Sequence, residues 1–415
     1  MNTDEIVSDI ISLIHSTTQS NYIICSKVSS KIFSYLSQIQ YKDNQWNELN
    51  DAIERFDQNI DHPDLQQFRQ LIQTISLCSN DCEERNYTLG RDRNTLTNSI
   101  DQLRDLLKSH VDLRCFLLAK LIQQQDIRLY LIDLMNLTGM NVGDEIHGIL
   151  CDIVYLLCQI DPTFTISNVI DHPIVSNCIR IIQTNIYSKG GNNMKSTMIS
   201  ALNLLTKLLL TGEIFPVQTK SQISNPTFLR CIFELIENHR DENELITILI
   251  KFLLSFNLRF DYPHENPILL TLVDINGEIS CQELIERLIL LFNRNIDPTE
   301  HKTTNSIIKF FGDLCDDQVI TNNMFLSDSN RRLIIEIISR ELSNRSCSDE
   351  MTTGYLSLLE LLLRNQIIIS ETCTRIDELQ TCFRFYLNSE NCLDDNRFII
   401  NEIIRQHKCL STNEI

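Results

Sequence analysis

The chain has 415 residues, 36 basic and 55 acidic side chains, a formal net charge of -19, and only 10 glycines and 8 prolines. So acidic a surface repels nucleic acid and anionic membranes unless a basic patch overrides it, and the densest basic clusters are only Arg91 with Arg93 and Arg331 with Arg332. Nucleic-acid binding is therefore not expected, and neither is membrane insertion: the longest apolar run, around Leu202 to Leu210, is broken by Lys207 and falls short of the roughly 18 residues a span needs.

Few turn formers and abundant Leu and Ile favour helices. The acidic, amphipathic opening MNTDEIVSDIISLIHS reads as a helix and not as a secretion signal, with Ile6, Ile10, Leu13 and Ile14 on one face. Further faces over residues 1–78 are Val28, Ile32, Tyr35 and Leu36, then Trp46, Leu49, Ile53 and Phe56, then Leu65, Phe68, Leu71, Ile72 and Ile75 after His62-Pro63. Residues 79–99 lack sustained periodicity and predict an exposed loop.

Residues 100–415 predict one continuous leucine-rich helical domain. Leu103, Leu106, Leu107, Leu113, Phe116, Leu117, Leu121, Leu129, Ile132, Leu134 and Leu137 form closely spaced helices. Gly139 and Gly143 precede a helix from Glu145 to Ile160, which Asp161-Pro162 ends. Helices follow over Ile174 to Tyr187, Met194 to Leu210, Phe228 to Asn238 and Glu244 to Asn257, and a last one over Arg397 to His407. Strong apolar helices begin near Leu202, Leu245, Leu284 and Leu333, a spacing of roughly forty residues that suits armadillo or HEAT units. The expected fold is thus all-α, an armadillo/HEAT-like α-solenoid.

No phosphate-binding glycine loop, nucleophile elbow or H-E-x-x-H pair is present. Cys78 and Cys82 could share a helix face, but His62 and His110 are isolated from them, so no metal or cofactor site is expected. The 15 cysteines read as reduced thiols packed as small hydrophobes, among them Cys151 and Cys158. The expectation is a binding protein and not an enzyme.

Four blocks carry a resemblance. They are IKFLLSFNLRF at Ile250 to Phe260, ERLILLFNRNIDP at Glu286 to Pro298, SIIKFFGDLCDD at Ser306 to Asp317, and LIIEIISRELSNRSCSDEMTTGYLSLLELLLRN at Leu333 to Asn365. In order and approximate spacing they resemble the leucine-rich domain of the family of NCK-interacting protein with SH3 domain and its yeast counterparts, the Dip and Ldb proteins. Arg259 stands where that family usually has Gln, Asn295-Ile296 where it has Gly-Asp, and Glu336 where it has Asp.

The resemblance implies an armadillo-like domain that binds the actin-related protein 2/3 complex. It further implies activation of that complex to make linear actin filaments without a pre-existing filament, in the cytoplasm at cortical, endocytic actin patches. The alternative is an armadillo-like scaffold for formins or trafficking proteins that lacks activator activity. The polar residues matched by the blocks, and so implied as partner contacts, are Asn257, Asn293, Arg294, Arg340, Glu341 and Tyr355. Each also has a structural reading: Asn257 and Asn293 as helix C-caps, Arg294 with Asp297 and Arg340 with Glu336 as ion pairs.

Overall fold

The computed structural model describes residues 6–7, 9–11, 13–14, 22–39, 48–49, 51, 63–85, 93–108, 118–119, 121–140, 142–164, 168–186, 192–275, 277–301, 304–316, 327–364 and 375–410. The fold is all-α and built as a helical repeat in solenoid fashion, with no strand among the described residues. The chain divides into two compact units, Met1–Gln222 and Ile223–Ile415. The division therefore lies well beyond the 79–99 segment.

The first unit contains α1 (Tyr22–Ile39), α2 (Pro63–Glu84), α3 (Arg93–Lys108), α4 (Gln125–Asn136), α5 (Asp144–Ile160), α6 (Ile174–Ile186) and α7 (Asn192–Leu209). α2 packs on α3 and α4, α3 on α5, and α7 on both α5 and α6. The face predicted for α2 is its core face: Leu65, Phe68, Leu71, Ile72 and Ile75 are all buried. Cys151 and Cys158 on α5 are buried as expected.

Two sequence expectations for this unit need correction. The predicted loop over 79–99 is helical at both ends, since α2 continues to Glu84 and α3 begins at Arg93; residues 86–92 lie outside the described ones. α2 continues because its polar residues find partners. Ser76 Oγ bonds the Asp133 carboxylate of α4, and Ser79 Oγ donates to the Asp133 carbonyl at 3.1 Å. On α1 the face chosen from hydropathy is outside: Val28, Ile32 and Tyr35 are exposed, while Cys25, Ser29 and Phe33 are buried. Ser29 can lie in the core because its hydroxyl donates to the Cys25 carbonyl four residues back, at 2.9 Å. The expected Trp46, Ile53 and Phe56 face lies outside the described residues, apart from buried Leu49.

Gly148 sets how closely α5 approaches α7. A Cβ there would meet Thr197 Oγ1 at 2.9 Å and the Thr197 Cα at 3.0 Å. The second contact is backbone and cannot rotate away. Gly148→Ala is therefore expected to destabilise the first unit by about 1–3 kcal/mol, overpacking outweighing the better helix propensity of alanine. Thermal unfolding followed by circular dichroism reads this directly; an unchanged or raised midpoint would contradict the close approach.

The second unit contains α8 (Pro226–Asn238), α9 (Asn243–Asn257), α10 (Pro267–Asp274), α11 (Gln282–Asn293), α12 (Ser306–Asp316), α13 (Asp328–Asn344), α14 (Glu350–Arg364), α15 (Ile376–Asn388) and α16 (Asp394–Gln406). Its packing runs in two series. One layer is α8, α11, α13 and α15, each against the next; the other is α9, α12, α14 and α16. Successive partners α8–α9, α11–α12, α13–α14 and α15–α16 close each repeat, and α10 packs beside α8. In the second layer, α9 is buried over much of its circumference, with eleven buried residues from Leu245 to Asn257, whereas α16 at the end of the layer buries only Asn396, Ile400 and Ile403. An aromatic file, Phe228 to Phe252 to Phe256 to Phe260, runs through this core with ring centroids 6.0, 6.2 and 5.1 Å apart.

Candidate functional site

The six residues implied as contacts all lie in the second unit, and the structure separates them into two groups. Asn293, Arg294, Arg340, Glu341 and Tyr355 gather where α11 and α13 end and α14 begins. Asn257 belongs to a buried network of its own.

The first group is built on the end of α11. The chain leaves this helix through Asn295, whose φ of 56° is left-handed. Asn295 N–H donates to the Phe292 carbonyl at 3.0 Å and Ile296 N–H to the Leu291 carbonyl at 3.0 Å, which is the Schellman pattern. Asn suits this left-handed position because, after Gly, it is the residue that tolerates it best. The left-handed residue just past the cap is thus Asn295, and the cap itself is Arg294, not Asn293. Asn293 is the last helical residue, and Arg340 of α13 holds it: Nη1 donates to Asn293 Oδ1 at 3.0 Å and Nη2 to the Asn293 carbonyl at 3.1 Å.

Arg340 also bonds Glu341 at 3.0 Å. Glu341 faces Arg345 at 3.5 Å, and Arg345 donates to Asp349 at 2.9 Å while its guanidinium lies 5.2 Å from the centre of the Tyr355 ring. Tyr355 closes the circuit by donating its hydroxyl to Asn295 Oδ1 at 3.2 Å, with its ring 5.6 Å from that of Phe292. Burial pushes the Tyr355 phenol above its ordinary value, so the ring stays neutral as a donor.

The expected pairs are replaced. Arg340 goes to Asn293 and Glu341, and Asp297 accepts from the Thr299 and Ser306 backbone N–H groups at 2.9 and 2.7 Å, fixing the start of α12. Arg294 is exposed and has no partner among the described residues.

The Arg340 grip is one instance of a device repeated along the layer. Arg287 of α11 donates to the Arg240 carbonyl just past the end of α8 at 3.1 Å. Tyr386 of α15 donates to the Leu342 carbonyl of α13 at 2.6 Å, and to the Arg345 carbonyl at 3.1 Å. Each helix thus sends a donor to carbonyls at or just past the end of its predecessor, where intrahelical partners run out. A grip on carbonyls fixes rotation and register between repeats, which apolar packing alone leaves loose.

In the second group, Asn257 Nδ2 donates to Asp313 of α12 at 2.8 Å, and Asn266 Nδ2 donates to Asn257 Oδ1 at 2.6 Å. Asn266 Oδ1 accepts from Ile268 N–H at 3.0 Å and so caps α10. Lys309 Nζ completes the set, 2.6 Å from Asp313. Asn257 joins three helices as the last residue of α9, and with no exposed surface it is not placed to touch a partner. Tyr355, 1% exposed, is not either.

Asp313 gives this network a pH signature. Burial pushes its carboxyl above the ordinary 3.8, against the pull of Lys309 and Asn257. The folded chain then holds the proton more tightly than the unfolded chain. Stability from this group is fully present below 3.8 and is lost as pH rises through the folded pKa. Wild type should therefore gain on Asp313→Asn as pH falls from neutral towards 3.8, read as the difference between their urea midpoints. A constant difference across that range would show that Asp313 is not perturbed.

Sequence reasoning passed over Asn295, Arg345, Asp349, Asn266 and Asp313. A signal existed for one: Lys309 and Asp313 are four apart within SIIKFFGDLCDD, with Asp313 among Phe310, Phe311 and Leu314 on the buried side. An acid at that position needs a buried partner. Among the described residues no three His, Cys, Asp or Glu side chains are grouped to hold a metal ion, and no helix is long and apolar enough to cross a membrane.

Residues 242–379 match the model of the family described as SPIN90/Ldb17, leucine-rich domain. The match runs from the start of α9 into α15 and contains both networks. No curated protein matches the chain at a significant level.

Proposed function

We propose, from a chain whose residues 242–379 carry the leucine-rich domain of the SPIN90/Ldb17 family, that the protein activates the actin-related protein 2/3 complex. The product is a linear actin filament started without a pre-existing one, made in the cytoplasm at cortical actin patches and feeding endocytic networks. The action is binding and not chemical catalysis. The observation that carries the reading is the family match, which spans the interlocked helices from α9 into α15.

The physics suits the role. A ligand shifts a conformational equilibrium only by binding one state better than the other. Moving such an equilibrium from 1:99 to 99:1 takes a difference of about 5.5 kcal/mol. A domain that yields on contact would lose that difference to its own rearrangement. Side chains that grip the preceding helix end make the second unit stiff enough to hold one arrangement of a partner. The net charge of -19 steers it towards a basic partner face.

The test is assembly of pyrene-labelled actin with purified complex and no other activator. Faster assembly with unbranched filaments under the microscope is the expected result. No acceleration, with no binding in a pull-down, would leave an armadillo-like scaffold for other partners. Arg294→Glu separates contact from scaffold: it should lower activity several-fold with the melting temperature unchanged, since Arg294 is exposed and unpaired among the described residues.

A further inference from the structure

We propose that the groove between the end of α13 and α15 binds a short peptide carrying a bulky apolar side chain and, about 12 Å away, a lysine or arginine. The groove encloses about 610 Å³. Its floor is Leu342, Cys382 and Tyr386, all buried, and its rim is Phe385, 65% exposed. Asp377 and Glu378 line the other end. That volume lies in the range of roughly 300–1,000 Å³ typical of ligand sites.

The spacing of the α15 residues sets the pattern of the ligand. Asp377, Thr381 and Phe385 recur every four residues and share one face, with Glu378, Cys382 and Tyr386 beside them. Eight residues of helix separate the acidic end from the apolar end, about 12 Å. An extended peptide covers that distance in about four residues, a helical one in two turns.

The charges in the groove are not settled internally. Arg345 lines it, but its guanidinium is committed to Asp349, Glu341 and the Tyr355 ring. Glu378 meets Arg375 at 2.8 Å in an exposed pair, which a ligand cation can replace at little cost. Asp377 has no side-chain partner among the described residues. The Tyr386 hydroxyl is already spent on the Leu342 and Arg345 carbonyls, so the floor demands no polar group from its ligand. A basic, apolar-anchored peptide answers both ends, whereas an acidic one would add to the repulsion. The α15 floor and rim, from Thr381 to Tyr386, lie beyond the matched residues 242–379, and the proposal does not rest on the activator reading.

The test is selection of peptides from an unbiased display library on the immobilised full-length protein, followed by fluorescence anisotropy with the selected peptides. The expected peptides join Lys or Arg to an aromatic or Leu at the stated separation, and bind more weakly as salt is raised. Phe385→Asp, and separately Asp377→Lys with Glu378→Lys, should weaken binding at least tenfold. Phe398→Asp, at an exposed position on α16 outside the groove, should leave it unchanged. Melting temperatures of the Phe385 and Phe398 variants should match wild type, because both side chains are exposed. No enrichment, enrichment of acidic peptides, or equal binding to Phe385→Asp would overturn the proposal. Since no actin or partner complex enters the assay, its failure is distinguishable from failure of the activator role.

Discussion

Truncating Phe252 to alanine is expected to cost the second unit about 3–5 kcal/mol, the usual range for deleting a buried phenylalanine. Phe252 has no exposed surface and sits mid-way along α9. It meets Phe228 edge-on at 6.0 Å and stacks on Phe256 at 6.2 Å, joining the first helix of the unit to the aromatic file. Helices on both sides limit how far the hole can collapse, which places the cost high in the range. Phe252→Leu should recover most of the loss, because it refills part of the volume. Urea unfolding followed by circular dichroism measures both variants. A loss under about 1 kcal/mol would mean that the core around α9 is loosely packed.

Much of the fold was open to reading from periodicity because helices pressed between neighbours carry apolar residues at every three- and four-residue step. α5, α7, α8 and α9 fall within two residues of their expected limits, and Asp161-Pro162 ends α5 as read. The repeat register was harder. Leu202 lies in the first unit, Leu245 begins a helix of one layer, and Leu284 and Leu333 belong to the other layer. A near-constant spacing thus mixed two layers and two units, because apolar density marks a buried helix without saying which neighbour buries it. α1 failed for a related reason: hydropathy counts Ser29 as surface, while a serine that donates to the carbonyl four residues back enters the core cheaply.

The site was less legible than the fold. All six residues fall within the matched residues 242–379. The blocks could not say which polar residues face outwards, because buried polar groups that lock helices together look the same in sequence as contact residues. Tyr355 and Asn257 are of the buried kind, Arg294 is exposed, and Arg340 and Glu341 are tied into the lock while part of Arg340 stays exposed. At the Asn295-Ile296 departure from the resembled pattern, Asn295 takes a left-handed φ of 56°, a conformation that Asn, like Gly, tolerates.

Asn257→Ala is the substitution that separates these roles. It removes one donor to Asp313, which keeps Lys309 as its remaining partner, and the acceptor for Asn266, whose buried amide is left unpaired at roughly 1–3 kcal/mol, in addition to the lost bond to the carboxylate. A loss of about 3 kcal/mol follows, greater if the bond to the carboxylate carries the extra strength of a charge-assisted one. Without the amide, which helps hold the Asp313 pKa down, the carboxyl should also titrate at higher pH. The double variant with Asp313→Ala should cost less than the sum of the two single variants, because the bond between them is lost only once. Partner binding gives the second readout. Were Asn257 a contact, its loss would weaken binding and leave the melting temperature alone. Its burial predicts the reverse: a lower melting temperature, and full affinity per folded molecule at temperatures where the unit remains folded. An unchanged melting temperature with lost affinity would return Asn257 to the interface and undo the reading of this network as a lock between helices.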